Sequence, residues 1–365
     1  MPVQSGGNID RVATHGAEDR EVSILSATRS ETGSGKQGAS GAPGRMQGLD
    51  ALRVLGCFAV VLGHVMSGWR LEPADWEEIV WVYNVRMFGL RLFSLITGFL
   101  MADVAMRDAG RTLGSYARHR ASRLLIPTYF WVVVFMVLFD VLRPWSKGMP
   151  LTLDWYRLLF PAGHLWFPSF AAVAGVMGFA VLRHFPFARL GSRATPAVWM
   201  AATLMFFMLP RWIDGLPGPM ANRSVAYLCF GVVMRLTYVS VARVRQRPWA
   251  ASIAGLVLLA SMVGQASRHH PWQVFGMVAS MAFLGLGNLA GKVGRLVRPF
   301  AEMAFTIYLI HPLVIAAIQF GCMRLGYKPR GWDTVWLSGP VFIVSWSVGV
   351  WARRLGVPGW VLPKG

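Results

Sequence analysis

Residues 49–69 read LDALRVLGCFAVVLGHVMSGW. A bilayer core is crossed by a helix of about 20 mostly apolar residues, and this stretch has that length and character. It also carries Arg53 and His64. Ionisable groups inside a span are costly and usually functional, so the stretch points to a membrane protein with a polar site within the lipid layer. Eleven positions separate Arg53 from His64. On a helix that is about three turns plus 20°, so both leave one face, about 16 Å apart along the axis. Asp50, one turn before Arg53, is placed to pair with it.

The rest of the chain extends this reading. Of 365 residues, 55% are apolar and 16 are Trp, a composition that fits one integral membrane domain with aromatic residues at the interfaces. Further candidate spans cover 84–106, 124–142, 165–182, 196–210, 222–240, 250–267, 272–291, 300–321 and 334–352. The fold class is therefore all-α, a polytopic helical bundle of about ten transmembrane helices, because a spanning segment must satisfy its own backbone hydrogen bonds. Arg86 and Arg91 in the second segment require that its outer half face protein or water.

With the N-terminus cytoplasmic, 17 Lys and Arg fall in inner loops and 10 in outer loops. The positive-inside bias then places both termini in the cytoplasm. The net charge of +19 does not imply nucleic-acid binding, because the basic residues are dispersed between apolar segments. Residues 1–48, rich in Gly, Ser and charge, read as a disordered cytoplasmic tail. Residues 49–355 form the membrane domain, and 356–365 a short cytoplasmic tail. Cys57, Cys229 and Cys322 have no metal-ligand spacing and read as packing residues.

Four other stretches carry chemistry. Arg118-His119-Arg120-Ala121-Ser122-Arg123 lies at the cytoplasmic mouth of the third span, with Arg120 and Arg123 one turn apart. Guanidinium forks suit phosphate oxygens, so a multiply phosphorylated donor such as a coenzyme A ester fits; lipid phosphates fit as well. Gly163-His164-Leu165-Trp166-Phe167 opens the fourth span, where a histidine beside tryptophan is commonly an interfacial belt residue. His311, followed by Pro312 and one turn beyond Tyr308, is buried near mid-bilayer. Pro312 frees a backbone carbonyl one turn earlier, which can kink the helix or bind a polar group. His64 can serve as a general base, or it can bond a neighbouring helix. The histidines lie towards the outer side and the arginines towards the inner, a pattern that suits a donor arriving from the cytoplasm and an acceptor from outside. Their spacing does not match a zinc site.

On these residues the chain resembles the membrane acyltransferase-3 family. The resemblance runs from about residue 46 to 355. It is carried by Leu49-Asp50-Ala51-Leu52-Arg53 with His64, Phe93-Ser94-Leu95-Ile96-Thr97-Gly98-Phe99, Arg120-Ala121-Ser122-Arg123 with Pro127, His164-Leu165-Trp166-Phe167, and Ile307-Tyr308-Leu309-Ile310-His311-Pro312. Thr97, Ser94 and Ala304 depart from the family's usual Ser, Phe and Ser. The resemblance implies an inner-membrane enzyme that moves an acetyl or other short acyl group from cytoplasmic acyl-CoA to a hydroxyl of an extracytoplasmic or lipid-linked glycan, such as an exopolysaccharide. It implies His64 and Arg53 as the essential pair, with Arg120 and Arg123 near the donor. His311 or Tyr308 is assigned to oxyanion stabilisation. Membrane lipids are the surroundings, no metal is required, and self-association is left open. The competing reading is a transporter or flippase for an anionic lipid-linked sugar, although no internal repeat of the kind common in transporters is present. A structural subunit of a polysaccharide export complex is a third.

Overall fold

Because the apolar segments have no polar solvent to satisfy their backbones, each closes its own hydrogen bonds as a helix. The computed structural model describes residues 46–69, 88–142, 163–185, 191–208, 218–238, 240–241, 244, 247–263, 271–286 and 293–363. Residues Met46–Gly365 form one compact unit. Among the described residues the α-helices of eight residues or more are α1 (Gln47–Gly68), α2 (Gly89–Arg107), α3 (Leu113–Arg120), α4 (Ile126–Met136), α5 (Trp166–His184), α6 (Gly191–Met208), α7 (Gly218–Leu236), α8 (Pro248–Val263), α9 (Pro271–Gly285), α10 (Ala304–Arg324) and α11 (Gly331–Arg354). Among the described residues there is no strand.

Helices α3 and α4 are one rod joined by a π turn at Ala121–Leu125. Its cause is Pro127. Lacking an N–H, Pro127 cannot bond the Arg123 carbonyl, so the Ile126 N–H reaches back five residues to Ala121 and the Thr128 hydroxyl takes the Leu124 carbonyl at 2.6 Å.

Among the described residues, six helices are long and apolar enough to cross a bilayer: α1, α2, the α3–α4 rod, α5, α10 and α11. The apolar stretches of α6, α8 and α9 are shorter. Apolar side chains such as Val173, Met177 and Val181 on α5, or Ile253, Leu256 and Leu259 on α8, project outwards at helical spacing. Such surfaces suit a lipid solvent. Crossing by all ten rods, with both termini inside, belongs to the reading proposed below.

Helix α2 sits among α1, α5 and α7, which is why it is apolar nearly all round. Its tightest crossing is with α7. A Cβ at Gly98 would lie 1.9 Å from the Leu228 carbonyl oxygen, and one at Gly231 would lie 2.0 Å from that of Leu95. The two glycines thus let the backbones touch, as small residues do in membrane bundles. Asp103 of α2 clamps the same pair, meeting Arg235 of α7 at 2.6 Å and Arg107 at 2.8 Å. Arg91 is only 8% exposed, so this part of α2 faces protein; Arg86 lies outside the described residues. Cys57 and Cys229 are buried, Cys322 is half-buried, and all three are free thiols, as packing residues would be.

After α11, Gly356 adopts a positive φ of 81° and reverses the chain, a common helix stop. The segment that follows folds back onto the bundle instead of trailing from it. Leu362 is buried, Trp131 donates its indole N–H to the Val361 carbonyl at 3.0 Å, and Thr306 donates to the Pro363 carbonyl at 2.9 Å.

Candidate active site

Helices α1 and α10 pack side by side, and the 3-10 turn Gly163–Leu165 enters α5 beside them. This brings together histidines 100 and more positions apart. Ring centroids are 5.1 Å apart for His64–His311, 5.9 Å for His64–His164 and 5.5 Å for His164–His311. The three imidazoles form one cluster. His164 is therefore turned into the bundle, where its ring also meets Phe135, rather than standing in an interfacial belt.

Pro312 explains how His311 is held. The proline cannot donate to the Tyr308 carbonyl, which would be left unpaired in an apolar interior. His311 Nδ1 takes that place, donating to Tyr308 O at 2.8 Å with Ile307 O at 3.2 Å. In the neutral imidazole a proton on Nδ1 leaves Nε2 with its lone pair. That nitrogen is buried and has no hydrogen-bond partner, as is His164 Nε2. Tyr308 in turn donates its hydroxyl to the His164 carbonyl, tying α10 to the 3-10 turn. Among the described residues, no group of three or more His, Cys, Asp or Glu side chains is arranged to hold a metal ion.

The basic end is separate. A cavity of about 290 Å³ opens among α1, α2, α3, α5 and α10. Arg53, Arg111, His119, Arg120 and Arg123 line it, together with the apolar Ile96, Leu100, Leu124 and Ala171. Arg53 holds the buried Asp50 at 3.1 Å, so one carboxylate inside the bundle anchors one cation at the cavity. Arg120 donates Nε–H to the Tyr116 hydroxyl at 2.9 Å. The guanidiniums of Arg120 and Arg111 lie 5.3 and 5.7 Å from the centre of the Tyr116 ring, within cation–π range. Tyr116 is itself stacked on Phe179 at 4.2 Å, which fixes the platform. The π turn widens the rod between Arg120 and Arg123, and both line the cavity.

Phe93, Phe167 and Tyr308 also line the cavity. The imidazoles lie just behind: the Tyr308 ring is 5.9 Å from His164 and 6.0 Å from His311. Along one face of α1, Arg53 thus lines the cavity and His64 belongs to the imidazole cluster. Two of the family departures, Thr97 and Ala304, fall on the cavity wall.

Reading the sequence singled out His64, His311, Arg53, Arg120 and Arg123. It did not assign roles to Arg111 or Tyr116, and it favoured a belt role for His164. The i,i+4 spacing of Tyr116 and Arg120 was an available signal. For His164 no local signal existed, since its partners are distant in sequence.

In comparison with known proteins, the acyltransferase-3 family model, described as an acyltransferase domain, matches residues 46–354. No curated protein and no solved structure gives a significant match.

Proposed function

Because the chain belongs to the acyltransferase-3 family, we propose that it is a ten-span inner-membrane O-acyltransferase with cytoplasmic termini, moving a short acyl group from cytoplasmic acyl-CoA to a hydroxyl of an extracytoplasmic or lipid-linked polysaccharide. The observation that carries the reading is a cavity lined by basic side chains beside a cluster of imidazoles. Five basic side chains line the cavity, and three imidazoles are clustered beside Tyr308, which lines it too.

The donor's phosphates would sit against Arg111, Arg120 and Arg123, where forked N–H donors match phosphate oxygens. Its pantetheine arm would follow the apolar wall towards Tyr308. In the reaction the acceptor oxygen forms a bond to the acyl carbon, the carbon–sulfur bond breaks, and His64 takes the hydroxyl proton. The coenzyme A thiolate leaves and is protonated by the resulting imidazolium. His311 and His164 lie beside His64, so the proton is gained within a contiguous set of imidazoles. Arg53, held by Asp50, acts on the donor side, since about 16 Å of helix separates it from His64.

The test is direct. Purified protein given acetyl-CoA and a glycan acceptor should release free coenzyme A and add one acetyl mass to the glycan. Binding and movement of the glycan without thiol release would instead support the transporter. A charge-assisted hydrogen bond is worth about 1.5–3 kcal/mol, so Arg120→Ala should raise the KM for acetyl-CoA roughly 10-fold or more, with a smaller change in kcat. An unchanged KM in Arg120→Ala and Arg123→Ala would remove the donor role of these arginines.

A further inference from the structure

The cavity and the imidazoles do not meet directly. On the cavity wall stand three rings from three helices, Phe93 of α2, Phe167 of α5 and Tyr308 of α10, and the Tyr308 ring adjoins the imidazoles. Phe93 is 6.1 Å from Phe167 and 6.4 Å from Tyr308, centre to centre, and all three face the cavity. Phe167 and Tyr308 are 6% and 3% exposed. Behind the layer are His164 and His311, and neither they nor His64 lines the cavity.

The three rings differ in how they are held. Tyr308 is tied by its hydroxyl to the His164 carbonyl and by its own carbonyl to His311. Phe93 and Phe167 have no polar group to tether and are held by packing alone. An acyl group delivered through the cavity must pass the edge of this layer for its carbonyl to reach His64. The two phenylalanines, 6.1 Å apart centre to centre, are then the rings whose volume sets the room each methylene of an acyl chain would find there.

We propose that Phe93, Phe167 and Tyr308 form an aromatic partition between the donor cavity and the imidazole cluster, and that Phe93 and Phe167 thereby limit the enzyme to short acyl donors. The proposal deepens the acyltransferase reading and rests on it for its substrate. The partition itself is a property of the bundle that can be measured without turnover.

Two measurements test it on the full chain in lipid nanodiscs. In the first, acetyl-, butyryl- and octanoyl-CoA are compared as donors for the unaltered protein, Phe93→Ala and Phe167→Ala. A methylene in an apolar pocket discriminates by about 10–200-fold, so the octanoyl-to-acetyl ratio should rise by at least about 10-fold in the alanine variants. Phe93→Leu, which keeps most of the volume, serves if alanine prevents folding, and should shift the ratio in the same direction by less. In the second, diethylpyrocarbonate is the probe. His311 is fully buried with a free Nε2 lone pair, so its labelling, read by peptide mass, should be slow in the unaltered protein and several-fold faster in Phe93→Ala. Unchanged donor ratios with unchanged His311 labelling, in variants that still transfer acetyl, would overturn the partition. If the unaltered protein releases no coenzyme A from any donor, the acyltransferase reading fails, and the His311 labelling still decides whether the rings shield the cluster.

Discussion

Replacing His64 with alanine is expected to lower acyl transfer by about 10²–10⁴-fold, the usual contribution of a positioned general base. The protein should still insert, purify and elute as the unaltered chain does. The reason lies in the packing of His64. It is half-buried, and its partners His164 and His311 are anchored independently of it: His311 by the Tyr308 carbonyl, and the His164 turn by the Tyr308 hydroxyl. Removing the His64 ring therefore leaves the rest of the cluster supported. Coenzyme A release in the presence of acceptor is the measurement. Full turnover by a correctly folded His64→Ala would end its role as the base and shift attention to His164 or His311. Substituting His311 is a less clean experiment, because the Tyr308 carbonyl freed by Pro312 would lose its partner in an apolar interior, and a fold defect would accompany any kinetic one.

The second large effect concerns the fold alone. Gly231→Val or Gly98→Val should leave little monodisperse protein after extraction in mild detergent. At both positions a side chain would meet a carbonyl oxygen of the facing helix at about half a normal contact distance, 2.0 Å from Leu95 and 1.9 Å from Leu228. Backbone cannot rotate away as a side-chain tip can. Relief requires α2 and α7 to separate, which would stretch the Asp103–Arg235 pair and unpack Phe99 and Tyr227. Overpacking in a close-packed core typically costs about 1–3 kcal/mol, and a backbone clash of this depth lies at or above the upper end. Gly114→Ala is the control, since nothing lies within 4 Å of a Cβ there and alanine favours helix. If Gly231→Val remained monodisperse and as heat-resistant as Gly114→Ala, the close crossing would not be needed for stability.

The fold class was legible because the lipid solvent imposes it locally. An apolar run of bilayer length has one way to satisfy its backbone, so the helices could be placed from windows of about 20 residues. Local geometry was legible for the same reason. Asp50 and Arg53, one turn apart, do pair, and the carbonyl freed by Pro312 is indeed taken by a polar group, the neighbouring His311. The i,i+4 spacing of Tyr116 and Arg120 likewise places that pair on one helix face, where they bond.

What needed the tertiary structure were relations between helices. His64, His164 and His311 stand on three separate elements, and nothing near residue 164 distinguishes an inward-turned ring from an interfacial one. The Gly98–Gly231 crossing is invisible in either glycine alone, since a glycine's meaning here is the carbonyl that faces it. The layer of Phe93, Phe167 and Tyr308, which interrupts the path from the arginines to the imidazoles, is built the same way. Helix periodicity fixes which residues share a face, but the partner that face meets is chosen by packing across the whole bundle, and no window of sequence contains that choice.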